Sequence, residues 1–417
     1  MKSRSFKFWI IAICSLVYFA SYFARKDFAA AMAGMLADGV IERSVAGLVG
    51  TVLFAFYGVG QLISGYLGDK VKPAILITAG LGTTAVCNLL MPLVPNGWLM
   101  IPIWAINGLA QAMLWPPIVR ILSDNLDHES FVGANTVVTA AAHVSTVLLY
   151  LYVPLCLKFF SWRTVFFTSS VLAFLVMVAE ALALFIILPK NRPLSADSMR
   201  LDVAVSATPE PAPLRSVFFG TGVLFVLPSI ISNGFLRDGI ESWLPTLYSE
   251  AFEREASESV LVSVILPLFA VASILVVTAL HKKRFFNNEI RGAAVLYAAS
   301  AVCCALIALF VESDGPVLRV VCLVLAGLLC ALMHGVNFLL ISCMPGRFSH
   351  MHRASTVSGM CNASVYIGGA ISMYGIALVS ENMGWRATAI MWIAVAAFGA
   401  GMLIPAFRKY TKFISNR

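Results

Sequence analysis

Two arginines lie inside apolar stretches of this sequence, where ionised groups are rare. Arg25 lies in the segment 22–27 (YFARKD) and Arg237 in the segment 234–238 (GFLRD), and apolar helical sequence continues on both sides of each. A guanidinium at the centre of a membrane helix costs roughly 2.5 to 3.5 kcal/mol on insertion scales, so such residues usually face an aqueous cavity or an anionic partner. The pattern predicts an anion-binding site.

The chemistry of the guanidinium group favours a phosphorylated anion. Its charge is permanent, and its planar fork donates paired hydrogen bonds to phosphate oxygens. Two arginines nearly neutralise a phosphate dianion, whereas a monocarboxylate needs only one cation. In addition, Tyr18, Tyr22 and Arg25 are spaced by four and three residues, which places them on one helix face. Packing alone also explains such a tyrosine pair.

The rest of the chain has the composition of an integral membrane protein. Hydrophobic residues make up 60% of the 417 positions and charged residues 12%, against about 45 to 50% and 25% in soluble domains. Apolar runs of about 20 residues, long enough to cross the hydrocarbon core, recur twelve times. They cover residues 8–36, 45–68, 73–94, 98–122, 131–157, 163–188, 217–248, 259–280, 290–311, 316–343, 354–379 and 386–407. We therefore predict an all-α protein with twelve transmembrane helices.

A polar, proline-containing segment at 189–216 divides the spans into two sets of six. We predict six-helix bundles at 1–188 and 217–417, joined by this segment as a cytoplasmic linker. Similar strings, SWRT at 161–164 and GWRA at 384–387, open the sixth and twelfth spans. Two such pseudo-symmetric bundles usually bind substrate between them and expose it alternately to the two sides of the membrane.

Charge and motif content narrow the function further. Most of the 29 Lys and Arg residues fall in loops on the side of the N-terminus, which predicts cytoplasmic termini in a multi-pass plasma membrane protein, in the inner membrane if it is bacterial. These loops explain the net charge of +8, so no nucleic-acid partner is needed. We expect a monomer in the lipid bilayer.

The sequence carries no P-loop, and its loops are too short for an ATPase domain. The nine cysteines lie in or at the ends of predicted spans, with only Cys303 and Cys304 adjacent, and are interpreted as buried apolar residues. We predict no enzyme activity, no metal and no cofactor.

Five short segments of the sequence resemble motifs of one transporter family, and they occur in the same order along the chain. Residues 107–117 (NGLAQAMLWPP) resemble the fourth-helix signature of the organophosphate:phosphate antiporter family of the major facilitator superfamily. Residues 25–28 (RKDF) resemble its first-helix motif and 237–245 (RDGIESWLP) its seventh-helix motif. SWR at 161–163 and YIGG at 366–369 also match. The likeness spans nearly the whole chain.

The resemblance implies the major facilitator fold and a site in which Arg25 and Arg237 bind a phosphoryl group from opposite halves. It also implies that further polar side chains surround the anion: Tyr22, Tyr57, His143, His334 with Asn337, and Tyr366. Of these, His143 is expected to supply a hydrogen bond or a titrating charge, although a satisfied interhelical histidine is an alternative. His334 stands where some relatives have a tyrosine.

The departures from the family pattern bear on the substrate. Gln61 stands where well-known members carry a cavity lysine, which removes one positive charge. The acid of the seventh helix is Glu241, one position earlier than in the family. Lys26 with Asp27, Asp238 or Glu241 is a candidate gating ion pair. Glycerol 3-phosphate and hexose phosphate specificity therefore stay open.

Two other acids have separate interpretations. Asp69, in GYLGDK at 65–70, resembles the superfamily's cytoplasmic loop, where an aspartate and a basic partner would latch the halves in one state. Glu180, in the apolar sixth span, is interpreted as hydrogen-bonded packing, with proton coupling as the alternative.

We predict a secondary transporter that moves a small organic anion by alternating access, most simply an organophosphate in exchange for inorganic phosphate. In this scheme the unoccupied arginines repel one another until an anion bridges them. Two alternatives are a proton-coupled symporter of a carboxylate such as a sugar acid, and a transporter-like sensor of sugar phosphates.

Overall fold

The described part of the chain is helical throughout, and a computed structural model describes residues 4–187, 213–282, 288–313, 315–351 and 353–415. The helices before the predicted linker are α1 (Arg4–Ala37), α2 (Arg43–Lys70), α3 (Pro73–Leu90), α4 (Gly97–Ala112), α5 (Trp115–Asn125), α6 (His128–Phe159) and α7 (Trp162–Ile187). Those after it are α8 (Val223–Ala251), α9 (Ala256–Val262), α10 (Ile265–Lys282), α11 (Glu289–Phe310), α12 (Pro316–Asn337) and α13 (Ala354–Ser415). The described residues include no strand, and the all-α prediction is confirmed.

Eleven segments of the described residues are long and apolar enough to cross a membrane, and the last of them, Thr356–Ser415, is 60 residues long. Gly384 interrupts this segment with a non-helical backbone, φ 79 and ψ 177. Glycine adopts such a positive φ at little cost because it has no Cβ. The break falls between the predicted spans 354–379 and 386–407, so α13 contains both of them.

Two spans that we predicted as continuous helices are each divided in the structure. The span 98–122 consists of α4 and α5, and Pro116 and Pro117 lie in the first turn of α5. Because proline lacks an amide hydrogen and its ring clashes with the preceding turn, a helix breaks before it. The span 259–280 consists of α9 and α10, with Pro267 in the first turn of α10.

The chain contacts group into two compact units, and the division differs in one element from the predicted one. Unit 1 comprises Met1–Ile41 and Ala55–Thr208, and unit 2 comprises Glu42–Phe54 and Pro209–Arg417. The start of α2 is therefore assigned with the second set of helices. The predicted linker, 189–216, lies mostly outside the described residues.

Small side chains allow the start of α2 to pack against α13 within unit 2. A Cβ added at Gly47 would lie 2.6 Å from the Cβ of Ala377. Nearby, Thr51 Oγ1 donates to the carbonyl oxygen of Ala370 at 2.8 Å. At the first residue of the helix, Arg43 Nη2 lies 2.5 Å from Glu250 Oε2. The packing follows from glycine and threonine positions that were not considered in the sequence prediction.

The close approach of α8 and α13 places the second arginine. A Cβ added at Gly234 would lie 2.1 Å from the carbonyl oxygen of Val365, and one added at Gly368 would lie 2.0 Å from the carbonyl oxygen of Ile231. Both distances are too short for any side chain. The two backbones therefore touch at Ile231 and Gly234, six and three residues before Arg237.

We predict that Gly368→Ala lowers the free energy of unfolding of the protein by about 1 to 3 kcal/mol, because the added methyl group forces the two backbones apart. The measurement is the thermal unfolding midpoint of the detergent-purified protein. Gly401→Ala is the matched control on α13, since a Cβ there meets no atom within 4 Å. It should be neutral or stabilise by up to about 1 kcal/mol. Equal midpoints for the two variants would contradict the assigned packing.

Candidate functional site

Arg25, in unit 1, lies against the rings of two tyrosines. Its Cζ atom is 4.2 Å from the ring centroid of Tyr22 and 5.2 Å from that of Tyr57. Cation–π contacts of this kind stabilise by about 0.5 to 2 kcal/mol, with the larger values at desolvated sites. The Tyr22 ring in turn packs edge-on against Tyr18, with centroids 4.9 Å apart. The structure thus brings together the residues that the spacing and the motifs placed near Arg25.

Buried polar side chains from three helices hold α1 around this arginine. Asn88 on α3 and Asn107 on α4 donate to the carbonyl oxygen of Ala24, at 3.0 and 3.4 Å. Ser145 on α6 donates to the carbonyl oxygen of Phe19 at 2.7 Å. Unsatisfied polar groups inside an apolar bundle are costly, so these bonds fix where α1 lies.

The fourth-helix signature has a physical role in this arrangement. Asn107 and Gln111 lie one turn apart on α4, and Gln111 Oε1 accepts from Ser21 of α1 at 2.5 Å. Their spacing of four residues, in an otherwise apolar run, is the sequence signal that we did not use. The signature thus includes side chains that position α1, and with it Arg25.

Gln61 forms a hydrogen bond with the end of α4, where the proline pair leaves a carbonyl oxygen without its helical partner. In a continuous helix the carbonyl oxygen of Ala112 would accept from the amide of residue 116, but Pro116 has no amide hydrogen. Gln61 Nε2 lies 3.4 Å from this oxygen and donates to it. The structure therefore shows a structural contact for Gln61, and its predicted contact with the substrate stays a prediction.

Asp27 is completely buried next to the arginine helix turn. Its Oδ1 accepts from the amide of Phe28 at 2.8 Å. Asp27 forms no ion pair with any described residue. The candidate gate of Lys26 with Asp27 is therefore not formed in this structure.

Three further residues of unit 1 were singled out in the sequence. His143 lies half-buried on α6, and its role in binding stays a prediction. The side chain of Asp69 lies outside the described part of the chain. Glu180 is buried on α7 and accepts from Thr78 Oγ1 at 3.0 Å, which agrees with hydrogen-bonded packing.

Arg237, in unit 2, is surrounded by polar groups from two helices. Its Nε and Nη2 atoms both lie 2.8 Å from Oδ1 of Asp238. Its Nη1 donates to Oδ1 of Asn337 at 2.6 Å. Asn337 ends α12, at the point where the helix widens into the π-helical segment Phe338–Cys343. Such local widening often accompanies functional sites in helices.

The second glycine of the pair Gly368–Gly369 on α13 makes room for this ion pair. A Cβ added at Gly369 would lie 2.7 Å from Oδ2 of Asp238, so a larger residue at this position would displace the carboxylate. Tyr366, one turn earlier on α13, is half-buried and interacts electrostatically with Arg237. The YIGG string thus contributes both a space and a phenol to the same site.

Helix α8 contacts α12 a second time one turn after Arg237, through Glu241. Its Oε1 lies 2.6 Å from Nε2 of His334 and also accepts from the thiol of Cys330 at 3.8 Å. The side chains of His334 and Glu241 are 14% and 18% exposed. Asp238, Asn337, Glu241 and Tyr366 interact with Arg237, and His334 contacts Glu241. The pairing of Glu241 with His334 was not foreseen.

Comparisons with known sequences identify the family of this chain. A family model described as Major Facilitator Superfamily matches residues 14–373. A probable hexose phosphate transport protein of Chlamydia muridarum is 24% identical over 179 residues, 42% of this chain and 39% of that protein. The membrane sensor protein UhpC of Escherichia coli is 26% identical over 174 residues, 41% of this chain and 40% of that protein. A glycerol-3-phosphate transporter of Haemophilus influenzae is 30% identical over 112 residues, 25% of this chain and 23% of that protein.

These alignments cover less than half the length of each relative, and they confirm the resemblance to the organophosphate:phosphate antiporter family. Among solved structures, a bacterial homologue of the human lysosomal transporter Spinster aligns with a TM-score of 0.75 at 14% identity, over 99% of both chains. A nucleoside transporter aligns with a TM-score of 0.74 at 12% identity, over 96% of this chain and 100% of that one. At such identities the likeness concerns the fold, and the predicted major facilitator fold is confirmed.

The two buried aspartates should respond differently to the same substitution. Asp238→Asn removes the charge that pairs with Arg237 and should cost about 1 to 3 kcal/mol of stability, since hydrogen bonds to charged groups contribute about that much. Asp27→Asn, which removes no ion pair among the described residues, should cost less than about 1 kcal/mol. Thermal unfolding midpoints of the two purified variants test this. A loss for Asp27→Asn as large as that for Asp238→Asn would mean that Asp27 carries a paired charge.

Proposed function

Because this chain belongs to the Major Facilitator Superfamily, we propose that it is a secondary transporter that carries an organophosphate across the membrane in exchange for inorganic phosphate. Alternating access of the two units provides the transport step. Arg25 and Arg237 each donate to the phosphoryl group. Both termini lie in the cytoplasm, and the protein resides in the plasma membrane.

The observation that carries this proposal is the surroundings of the two arginines. Each guanidinium is half-buried in an apolar helix and is contacted by polar or aromatic side chains of its own unit. A charged side chain in this position costs free energy, and such residues in membrane helices typically form ligand sites. Relatives named for hexose phosphate and glycerol-3-phosphate transport support a phosphorylated substrate.

The tyrosines and the amide extend the proposed site beyond charge. The rings of Tyr22 and Tyr57 both contact the guanidinium of Arg25, which limits its rotamers before the anion arrives. Asn337 and Asp238 do the same for Arg237. A guanidinium group that already has its binding geometry loses less conformational entropy on binding than a mobile one. His143 and Gln61 complete the proposed set in unit 1.

A sensor is the second candidate, because one of the matched relatives is named as a membrane sensor protein. A sensor would bind the same sugar phosphates and transport them slowly or not at all. A proton-coupled symporter of a carboxylate is the third candidate. Turnover measurements and substrate screening separate the three.

We predict counterflow when the purified protein is reconstituted into liposomes that contain inorganic phosphate. External labelled phosphate or hexose phosphate should accumulate only when the lumen contains phosphate or an organophosphate, because exchange requires an anion for the return step. Liposomes loaded with chloride are the control. Uptake that is equal with both loads would contradict obligatory exchange, and binding without uptake would favour the sensor.

Arg25→Lys and Arg237→Lys should each reduce the rate of phosphate exchange by about 10- to 100-fold. The expectation follows from the loss of a charge-assisted hydrogen bond contributing about 1.5 to 3 kcal/mol, because an ammonium group keeps the charge but not the fork. The measurement is the initial rate of phosphate exchange in liposomes. Arg163→Lys is the matched control, since Arg163 also stacks on an aromatic ring, that of Trp162 at 4.5 Å. Full exchange by Arg25→Lys or Arg237→Lys would remove that residue from the site.

A further inference from the structure

The last part of α13 changes from apolar to basic along one exposed face. Ile404, Arg408 and Lys412 follow one another at intervals of four residues, which places them on the same side of the helix. All three side chains are exposed, Ile404 by 74%. Phe407, next to Arg408 in the sequence, is exposed as well. An exposed apolar surface of this kind suits lipid acyl chains, and the basic surface begins one helix turn beyond it.

The two cations on this face repel each other, and no acid of the neighbouring sequence offsets them. Like charges four residues apart on a helix destabilise it. Neither Arg408 nor Lys412 forms an ion pair with a residue in the described part of the chain, and the sequence 382–417 contains no Asp or Glu. The pair therefore presents two positive charges to whatever lies against this face.

An acid does contact this part of α13, but from the buried side. Glu289, at the start of α11, is completely buried, and its carboxylate accepts from Arg347 Nε at 2.7 Å and from the hydroxyl of Tyr410 at 3.0 Å. Tyr410 is two residues from both Arg408 and Lys412, which places it on the opposite side of the helix. The negative charge of Glu289 is thus held inside unit 2, and the exposed face stays positive.

Lys409, next to Arg408 in the sequence, has a structural partner. Its Nζ donates to the carbonyl oxygen of Phe219 at 3.1 Å, near the end of the π-helical turn Ser216–Gly220. The backbone of Gly222 approaches the same residue, since a Cβ added there would lie 3.4 Å from the Cβ of Lys409. Lys409 therefore belongs to the scaffold that holds the end of α13 in place beside the start of α8.

The spacing along the exposed face matches the depth of a lipid headgroup layer. Four residues of helix span about 6 Å, so Arg408 and Lys412 lie about 6 and 12 Å beyond Ile404 along the axis. The headgroup region on each side of a bilayer is about 5 to 7 Å thick, and long basic side chains extend their charged ends toward it. With Ile404 against the acyl chains, both cations reach the phosphate groups of one leaflet.

We propose that Arg408 and Lys412 form a binding site for the phosphate group of an anionic phospholipid, whose acyl chains pack against Ile404. The guanidinium donates paired hydrogen bonds to phosphate oxygens, and the ammonium adds a second positive charge. A zwitterionic lipid presents the same phosphate with a cationic group beside it, so the site prefers a headgroup with a net negative charge. The site uses none of the residues around Arg237, so it stands independently of the proposed function.

The test is native mass spectrometry of the purified full chain, titrated with phosphatidylglycerol or with phosphatidylcholine of the same acyl chains. Each basic residue at an anionic membrane surface strengthens binding by about fivefold, so the wild-type protein should bind phosphatidylglycerol about 10- to 30-fold more tightly. The double variant Arg408→Gln/Lys412→Gln should bind the two lipids alike. Raising the ionic strength should weaken the preference of the wild-type protein, because exposed charges are screened.

Arg254→Gln/Arg386→Gln is the matched control, because it removes two exposed positive charges from the same unit. Arg254 pairs with Glu258 at 3.8 Å, and Arg386 pairs with Glu312 at 3.5 Å. Since acids offset these two charges, the control variant should keep the wild-type preference for phosphatidylglycerol. Thermal unfolding midpoints show that each variant is folded before lipid is added.

The outcomes distinguish a lipid site from other anion sites. Equal binding of the two lipids by the wild-type protein, or an equal loss of preference in the control variant, would overturn the inference. Binding of free inorganic phosphate that Arg408→Gln/Lys412→Gln abolishes in the absence of lipid would also overturn it, since the site would then take soluble anions. The single variant Arg408→Gln should lose about fivefold in affinity, and it gives the same decision if the double variant does not fold.

Discussion

The burial of a guanidinium charge inside an apolar helix is the constraint on which the rest of this structure depends. Such a charge loses its hydration, and its helix must offer groups that replace water. In unit 1 the aromatic faces of Tyr22 and Tyr57 contact Arg25. In unit 2 the carboxylate of Asp238 and the amide of Asn337 contact Arg237. The two halves of this pseudo-symmetric fold thus stabilise a buried arginine with different side chains.

The scaffold around each arginine follows from the same need. Side-chain amides on α3 and α4 bond the carbonyl oxygen of Ala24, the residue before Arg25. In unit 2 the glycines of α8 and α13 let the two backbones touch near Arg237, and Gly369 leaves space for the carboxylate that pairs with it. In a lipid environment, helix association relies on close packing and interhelical hydrogen bonds. Each unit uses one of these devices next to its arginine.

The two arginines have chemically different surroundings. Beside Arg237, unit 2 contains two acids and a histidine, and Arg237 is paired with Asp238. Unit 1 presents phenol rings to Arg25.

Much of this protein could be read from its sequence, and the remainder could not for identifiable reasons. Apolar run lengths predicted the membrane helices, and the spacing of Tyr18, Tyr22 and Arg25 predicted their common face, because both depend on local periodicity. The breaks at Pro116 and Pro267 were also local signals, but they lie inside apolar runs that hydropathy reads as continuous. The contact of Gln61 with Ala112 depends on such a break.

The tertiary structure alone decided which side chains meet across helices. Nothing in the spacing of Glu241 and His334, 93 residues apart, indicates that they contact each other, since helix pairing and the rotation of each helix about its axis set that contact. The same is true of α2, whose first residues pack against α13 because Gly47 and Thr51 face it. Composition and periodicity determine that a segment is a membrane helix and which residues share its face, whereas the partner of that face is fixed only when the helices pack.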